Sequence, residues 1–478
     1  MLCVDADVLC LYGLDRVDDS VRHWLEKQDK RHLLVFDDVE EFASLEHPRA
    51  HFFFLPEGEE ENIFKEIAWK HLFLKFHYNI PQDHEKAARL FTVMQNLREG
   101  IHLIASDWSD LDLNVVKNVL QNMLKMPKAY HGKDFFGKFQ DMPAIICGSG
   151  PSLAKNVDEL KGLENRALIM AGGTALPLLG KRCINIHFSA MIDPKLSLER
   201  FIEGFYEDIP LFYQNRVDRQ FLEKMRGPLL WMPDAGSSLI ERELFEEESF
   251  DGGWNVVTFC TALAASLGCS PIIFVGMDLS AAPEKIYAPG VKATAQEEKL
   301  ILTEGENGEA FYSKRDWLIA RSWLEEFIKA HPQTLFLNAT EGGIGVPSVK
   351  NILLSSAKEE YLQKNKDVQT RVLNLLQQLS PIGRKEELTA KVDALKMSFS
   401  NVRSYCEAFL IRVEEIFPHS LSHDGKLTLI LFELEEESVY KRVFEPIWDV
   451  WKGSILREDS SYPELQKILL FKRILENF

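Results

Sequence analysis

Short apolar runs alternate with polar, helically spaced segments along most of this 478-residue chain. Residues 8–12, 32–36 and 51–55 are three such runs, closed by Gly13, by Asp37-Asp38 and by Pro56. Residues 21–26 between the first two have helical spacing. Runs of this length read as buried strands, and the alternation predicts a small parallel sheet. Residues 82–128 read as mainly helical, with Leu103, Leu111, Leu113, Val116, Leu120, Met123 and Leu124 on an amphipathic pattern.

A second series of apolar runs occupies 144–147, 167–171, 185–189, 211–213, 228–232, 272–275 and 334–337. Helical stretches lie between most of them, notably 153–163 and 259–267. This predicts an α/β fold with a Rossmann-like, doubly wound, mainly parallel sheet. Beyond about residue 351 proline and glycine become sparse, and apolar residues recur every three or four positions, as at Val372, Leu375, Leu376 and Leu379. Three domains follow from these changes: an N-terminal α/β domain with a helical bridge (1–130), a central nucleotide-binding domain (131–350) and a helical C-terminal domain (351–478).

Charge narrows the choice of partners. The formal net charge is −18, so a basic footprint for nucleic acid is absent. Acidic runs at 57–61, 246–248 and 435–437 read as solvated surface. A phosphate-bearing ligand stays open, because backbone N–H groups bind phosphate without Lys or Arg. The seven cysteines form no C-x-x-C pair, and several lie inside apolar runs. That usage suits buried thiols in a reducing compartment. No basic leader opens the chain, and no apolar stretch reaches the roughly 20 residues of a membrane span. The expectation is a soluble, cytoplasmic protein.

The chemistry gathers at strand ends. After the run 144–147 comes Gly148-Ser149-Gly150-Pro151-Ser152-Leu153. Two glycines allow a tight turn and close approach to a ligand. Pro151 or Ser152 suits a helix start, whose N–H groups can face an anion. The stretch lacks the Gly-Lys-Ser/Thr of a Walker loop and the third glycine of the dinucleotide fingerprint. Gly172-Gly173-Thr174 follows the next strand, one strand–helix–strand step later, so Thr174 can meet a nucleotide or cap a helix. Asp193 and Asp278 stand at the ends of later strands, where a carboxylate can serve as general base, ribose ligand or metal ligand. Gly276 opens the Asp278 turn, and Glu341 lies in the small-residue loop after 334–337. His419 and His423 have metal-like spacing but no third ligand beside them.

In this order the motifs resemble the motility accessory factor family of flagellin glycosyltransferases. They equally resemble its wider superfamily, which includes the archaeal 6-hydroxymethylpterin diphosphokinase (MptE-like proteins). The matching stretches are 148–153, 172–176, Asp193, Thr261-Ala262-Leu263 with Leu267-Gly268-Cys269, 276–279, Arg321-Ser322-Trp323 and 338–343. Bacterial sialyltransferases carry a similar glycine-Pro-Ser-Leu turn. The resemblance implies nucleotide contacts at Gly148, Ser149, Gly150, Pro151, Ser152, Gly172, Gly173, Thr174, Thr261, Gly276 and Glu341, with catalytic duties at Asp193, Asp278 and Tyr287. Tyr287 stands where flagellin-type members carry a histidine, and a phenol is a poor base at neutral pH.

Three functions follow as expectations. The first is a glycosyltransferase moving a nonulosonic sugar from a CMP carrier to a protein acceptor. The second is a magnesium-dependent diphosphokinase using ATP, with Asp193, Asp278 and Glu341 around the metal. The third is a nonenzymatic nucleotide-binding protein.

Overall fold

The computed structural model describes residues 5–13, 16–28, 31–37, 47–54, 74–81, 114–196, 207–234, 249–281, 300–305, 308–416, 424–445 and 462–476, with isolated positions between 64 and 98, at 421 and at 447–452. The chain falls into two compact units, 1–110 with 401–477, and 111–400.

The first unit contains β1 (Val8–Tyr12), α1 (Asp19–Glu26), β2 (His32–Asp37), β3 (Ala50–Phe54) and β4 (Phe76–Asn79). The strands form a parallel sheet in the order β3-β2-β1-β4. Period-two alternation divides their side chains between two faces. Leu9, Leu11, Leu33 and Val35 pack with Val21, Trp24 and Leu25 of α1. Val8, Cys10, Leu34 and Phe36 pack with Phe64 and Ile67 on the other face. Asp18 starts α1 by accepting the N–H groups of Ser20 at 2.9 Å and Val21 at 3.0 Å.

The second unit begins with α2 (Asn114–Met123), β5 (Tyr130–His131), β6 (Ala144–Cys147), α3 (Leu153–Asn156), β7 (Leu168–Gly172), α4 (Ala175–Lys181), β8 (Phe188–Met191) and β9 (Leu211–Tyr213). It continues through α5 (Arg219–Lys224), β10 (Leu229–Trp231), α6 (Val256–Ser266), β11 (Ile272–Val275), the hairpin β12 (Ile301–Glu304) and β13 (Ala310–Ser313), α7 (Arg315–Ala330), β14 (Phe336–Asn338) and β15 (Lys350–Asn351). Helices α8 (Leu354–Tyr361) and α9 (Val368–Gln378) follow. Nine strands form one parallel sheet in the order β15-β14-β11-β6-β7-β8-β9-β10-β5. Strands β6, β7, β8 and β11 are buried at every position. Parallel strands with both faces covered have this near-continuous apolar character. One core joins Ile146, Met170, Phe188 and Phe274 to Phe259 and Leu263 of α6, Leu324 of α7 and Val372 of α9.

The expected helix over 153–163 is broken. Helix α3 ends at Asn156, and a 3-10 stretch Val157–Leu160 follows. The break falls where Asn156 adopts φ −121° and its amide donates to the Ala339 carbonyl at 2.9 Å.

The C-terminal region is helical, as expected. Helix α10 (Lys385–Ile416) spans the division between the units, and α11 (Gly425–Glu436) and α12 (Pro463–Glu476) follow. The acidic run 435–437 does more than solvate a surface. Glu435 accepts from Lys467 of α12 at 2.7 Å, and Glu437 accepts from Asn401 at 2.9 Å. The runs 57–61 and 246–248, and His419 with His423, lie outside the described residues. Among the described residues no helix is long and apolar enough to cross a membrane.

Candidate functional site

The strand order sets the position of the site. From β6 the chain steps outward through β7, β8, β9 and β10, then returns to β11 on the opposite side of β6. Connections therefore diverge between β6 and β11. Ligands of open α/β sheets bind in the crevice beyond the carboxyl ends of the strands at such a switch point.

The turns beyond these two strands are stitched together. Gly148 N–H donates to the Val275 carbonyl and Gly150 N–H to the Gly276 carbonyl, both at 2.8 Å. Gly276 has φ +67°, and a Cβ there would lie 2.7 Å from the Gly148 oxygen. Only glycine reconciles that backbone with that approach.

Asp278 closes the arrangement from the next position. Its carboxylate is 6% exposed. It accepts the Ser152 hydroxyl at 2.6 Å and the Ser152 N–H at 3.3 Å. A side chain at Gly150 would collide with it. Its own carbonyl accepts Ile344 N–H at 3.0 Å. Burial pushes the Asp278 carboxyl up from the ordinary range, opposed by the two Ser152 hydrogen bonds and by Lys155.

The loop after β14 meets the same edge. Thr340 Oγ1 accepts Met277 N–H at 3.2 Å. The Lys155 ammonium donates to the Glu341 carbonyl at 2.7 Å. The Glu341 carboxylate turns to α8, where it accepts Leu354 N–H at 3.3 Å. It thereby covers an orphan donor of that helix start.

On the other side of β6, Thr174 donates its hydroxyl to Ser149 Oγ at 2.7 Å. Gly172 sits against the Ala190 carbonyl and Val256, leaving no room for a Cβ. Val256 opens α6 behind a capping box, in which Asn255 Oδ1 accepts Val257 and Thr258 N–H groups at 3.0 Å.

Residues 148–152, 172–174, 276–278 and Glu341 thus lie at or just beyond the carboxyl ends of β6, β7, β11 and β14, which are neighbours in the order β14-β11-β6-β7. Asp193, half-buried, follows β8, and its carbonyl accepts Asp218 N–H at 2.9 Å. Thr261 is not at the edge. It is buried inside α6, with its hydroxyl on the Val257 carbonyl at 2.8 Å. Tyr287 lies outside the described residues.

Residues 117–284 match the family model described as 6-hydroxymethylpterin diphosphokinase MptE-like. A solved structure, the MAf glycosyltransferase from Magnetospirillum magneticum AMB-1, is similar at TM-score 0.60 and 15% identity, over 98% of this chain and 78% of that one. At that identity the likeness concerns the fold. A comparison with curated proteins finds no match. The matched stretch runs from within α2 through Asp278 and stops before β14, so Glu341 lies beyond it.

Sequence reasoning missed how many donors the glycine turn would use internally. Gly148, Gly150 and Ser152 N–H groups all find acceptors within the protein. Among the described residues, the N–H groups of Ser149, Gly173, Thr174 and Ala175 find none. The anion-receiving capacity of the edge is therefore shared between two turns. Lys155 was also passed over, since no Walker motif marks it. No three His, Cys, Asp or Glu side chains converge as a metal site among the described residues. The neighbouring thiol of Cys147 is inert, its pKa pushed up to about 12 by burial.

Proposed function

We propose that this protein is a nucleotide-dependent transferase, and specifically a glycosyltransferase that moves a nonulosonic sugar from a CMP carrier to a hydroxyl of a protein acceptor in the cytoplasm. The observation that carries the reading is the group of unused amides at Ser149, Gly173, Thr174 and Ala175, beside the switch point between β6 and β11. One phosphate fits that number of donors. A CMP-sugar leaves as a phosphate, so the protein must mainly position the donor and supply one base. Asp193 is the proposed base, and Tyr287 a proposed hydrogen-bond donor to the leaving group. The name of the structural neighbour supports this reaction class. The family description supports a second reading, diphosphate transfer from ATP with magnesium.

A thermal-shift series separates the readings. CMP and CDP without metal are expected to raise Tm, by about 2.7 kcal/mol of stabilisation when ligand is a hundredfold above Kd. A shift only with ATP and magnesium selects the diphosphokinase. No shift with any nucleotide leaves the nonenzymatic reading without a ligand and sinks the site. Thr174→Asp puts a carboxylate among the unused amides and is expected to abolish the shift with little change in the ligand-free Tm.

A further inference from the structure

Helix α2 carries two buried asparagines one turn apart, Asn118 and Asn122, among the buried apolar residues Val115, Val116, Val119, Leu120 and Met123. An asparagine there forms helix poorly, and its amide must find partners to be buried without penalty. Asn122 donates to the Asn215 carbonyl at 3.0 Å and the Val217 carbonyl at 2.8 Å, both in the loop after β9. Asn118 bridges two loops. It donates to the Pro194 carbonyl at 2.8 Å, in the turn after β8, and to the Arg216 carbonyl at 3.1 Å, in the loop after β9. Its own oxygen accepts the Arg219 N–H at 3.3 Å and the Arg219 guanidinium at 3.2 Å. Both halves of that amide, donor and acceptor, are thus in use. Pro194 directly follows Asp193, whose carbonyl accepts Asp218 N–H at 2.9 Å. Leu196 N–H donates to the Asp218 carboxylate at 3.3 Å, and the same carboxylate caps α5 at Gln220 and Phe221. Asn118 therefore ties the Asp193 turn to α2 and to the loop after β9 at once.

We infer that Asn118 is a positioning residue for Asp193: by joining the Pro194 and Arg216 carbonyls it holds the backbone of Asp193 where the side chain takes the proton of the acceptor. This rests on the reading of Asp193 as base given above. In the step served, the acceptor hydroxyl oxygen bonds the anomeric carbon of the sugar, and the bond from that carbon to the CMP phosphate oxygen breaks. CMP leaves with the electron pair, and the hydroxyl proton passes to Asp193. A group misplaced by about 1 Å slows such a step on the order of a hundredfold. Leucine at position 118, of similar size, leaves the Pro194 and Arg216 carbonyls without these donors, so the turn shifts to find others.

The test uses the full chain with CMP-N-acetylneuraminate as donor and water as acceptor, read as release of CMP. Asn118→Leu is expected to lower kcat at least about tenfold, with KM for the donor within about threefold of wild type. Asn122→Leu removes two hydrogen bonds from the same helix but none to the Asp193 turn. It is expected to lower Tm while keeping kcat within about threefold of wild type. Asn118→Ser, a smaller side chain that retains one donor, carries the same comparison if Asn118→Leu does not fold. Equal loss of kcat in the Asn118 and Asn122 variants, or wild-type kcat in a folded Asn118 variant, overturns the positioning role. Loss of CMP release in Asp193→Asn would then leave the base reading standing. Release by Asp193→Asn at the wild-type rate overturns the base reading and this inference with it. Wild-type protein that releases no CMP overturns the donor reading on which both rest.

Discussion

His187 shows how a single buried side chain links this fold to pH. It is 2% exposed, and its Nδ1 accepts Ile169 N–H at 2.9 Å. Burial holds its pKa down at about 4, from an ordinary 6.5. The folded chain thus resists a proton that the unfolded chain accepts below 6.5. Stability is full above that pH and falls as pH drops toward 4, by up to about 3 kcal/mol. His187→Asn keeps an acceptor for Ile169 without the titration. Its unfolding midpoint is expected to fall less steeply between pH 6.5 and 4 than that of wild type, and equal slopes would refute the assignment. At the same scale, the glycines at 148, 150, 172 and 276 were legible as a tight turn and a close approach. The neighbours that require them were not legible, because Gly150 meets Asp278 and Gly172 meets Val256.

Among the elements, buried parallel strands were the easiest to read. Strands β1, β6, β9 and β11 have the bounds their apolar runs predict. The two-residue strands β5 and β15 were missed, since two residues carry no period. The hairpin β12–β13 was missed because most of its residues are exposed or half-buried. Helix α6 begins three residues before the stretch read from sequence, at Val256, because the Asn255 capping box sets its start. Asn255→Ala is expected to cost about 1 kcal/mol of stability. It should also weaken the CMP shift, because Val256 packs against Gly172 at the rim. Loss of stability with an unaltered ligand shift would separate α6 from the site.

At the scale of the molecule, all nine strands of the larger sheet and the whole candidate site fall within residues 111–400. The fragment 111–400 is expected to fold alone and to keep the nucleotide-dependent rise in Tm. Circular dichroism melts with and without CMP check this, and a fragment that folds without a ligand shift would move the site's determinants elsewhere. The alternation of apolar runs and helical segments by itself determined the parallel sheet, and the small residues at strand ends determined which edge could hold a ligand. Both are properties of local sequence, since strand length, period and turn chemistry are set within a few residues. Only the tertiary structure decided the roles of the polar groups. Ser152 meets Asp278 across 126 positions, Lys155 meets Glu341 across 186, and Thr261 turns its hydroxyl inward on α6. A donor that finds an acceptor within the fold is lost to a ligand, and which donors do so depends on turns brought together through space.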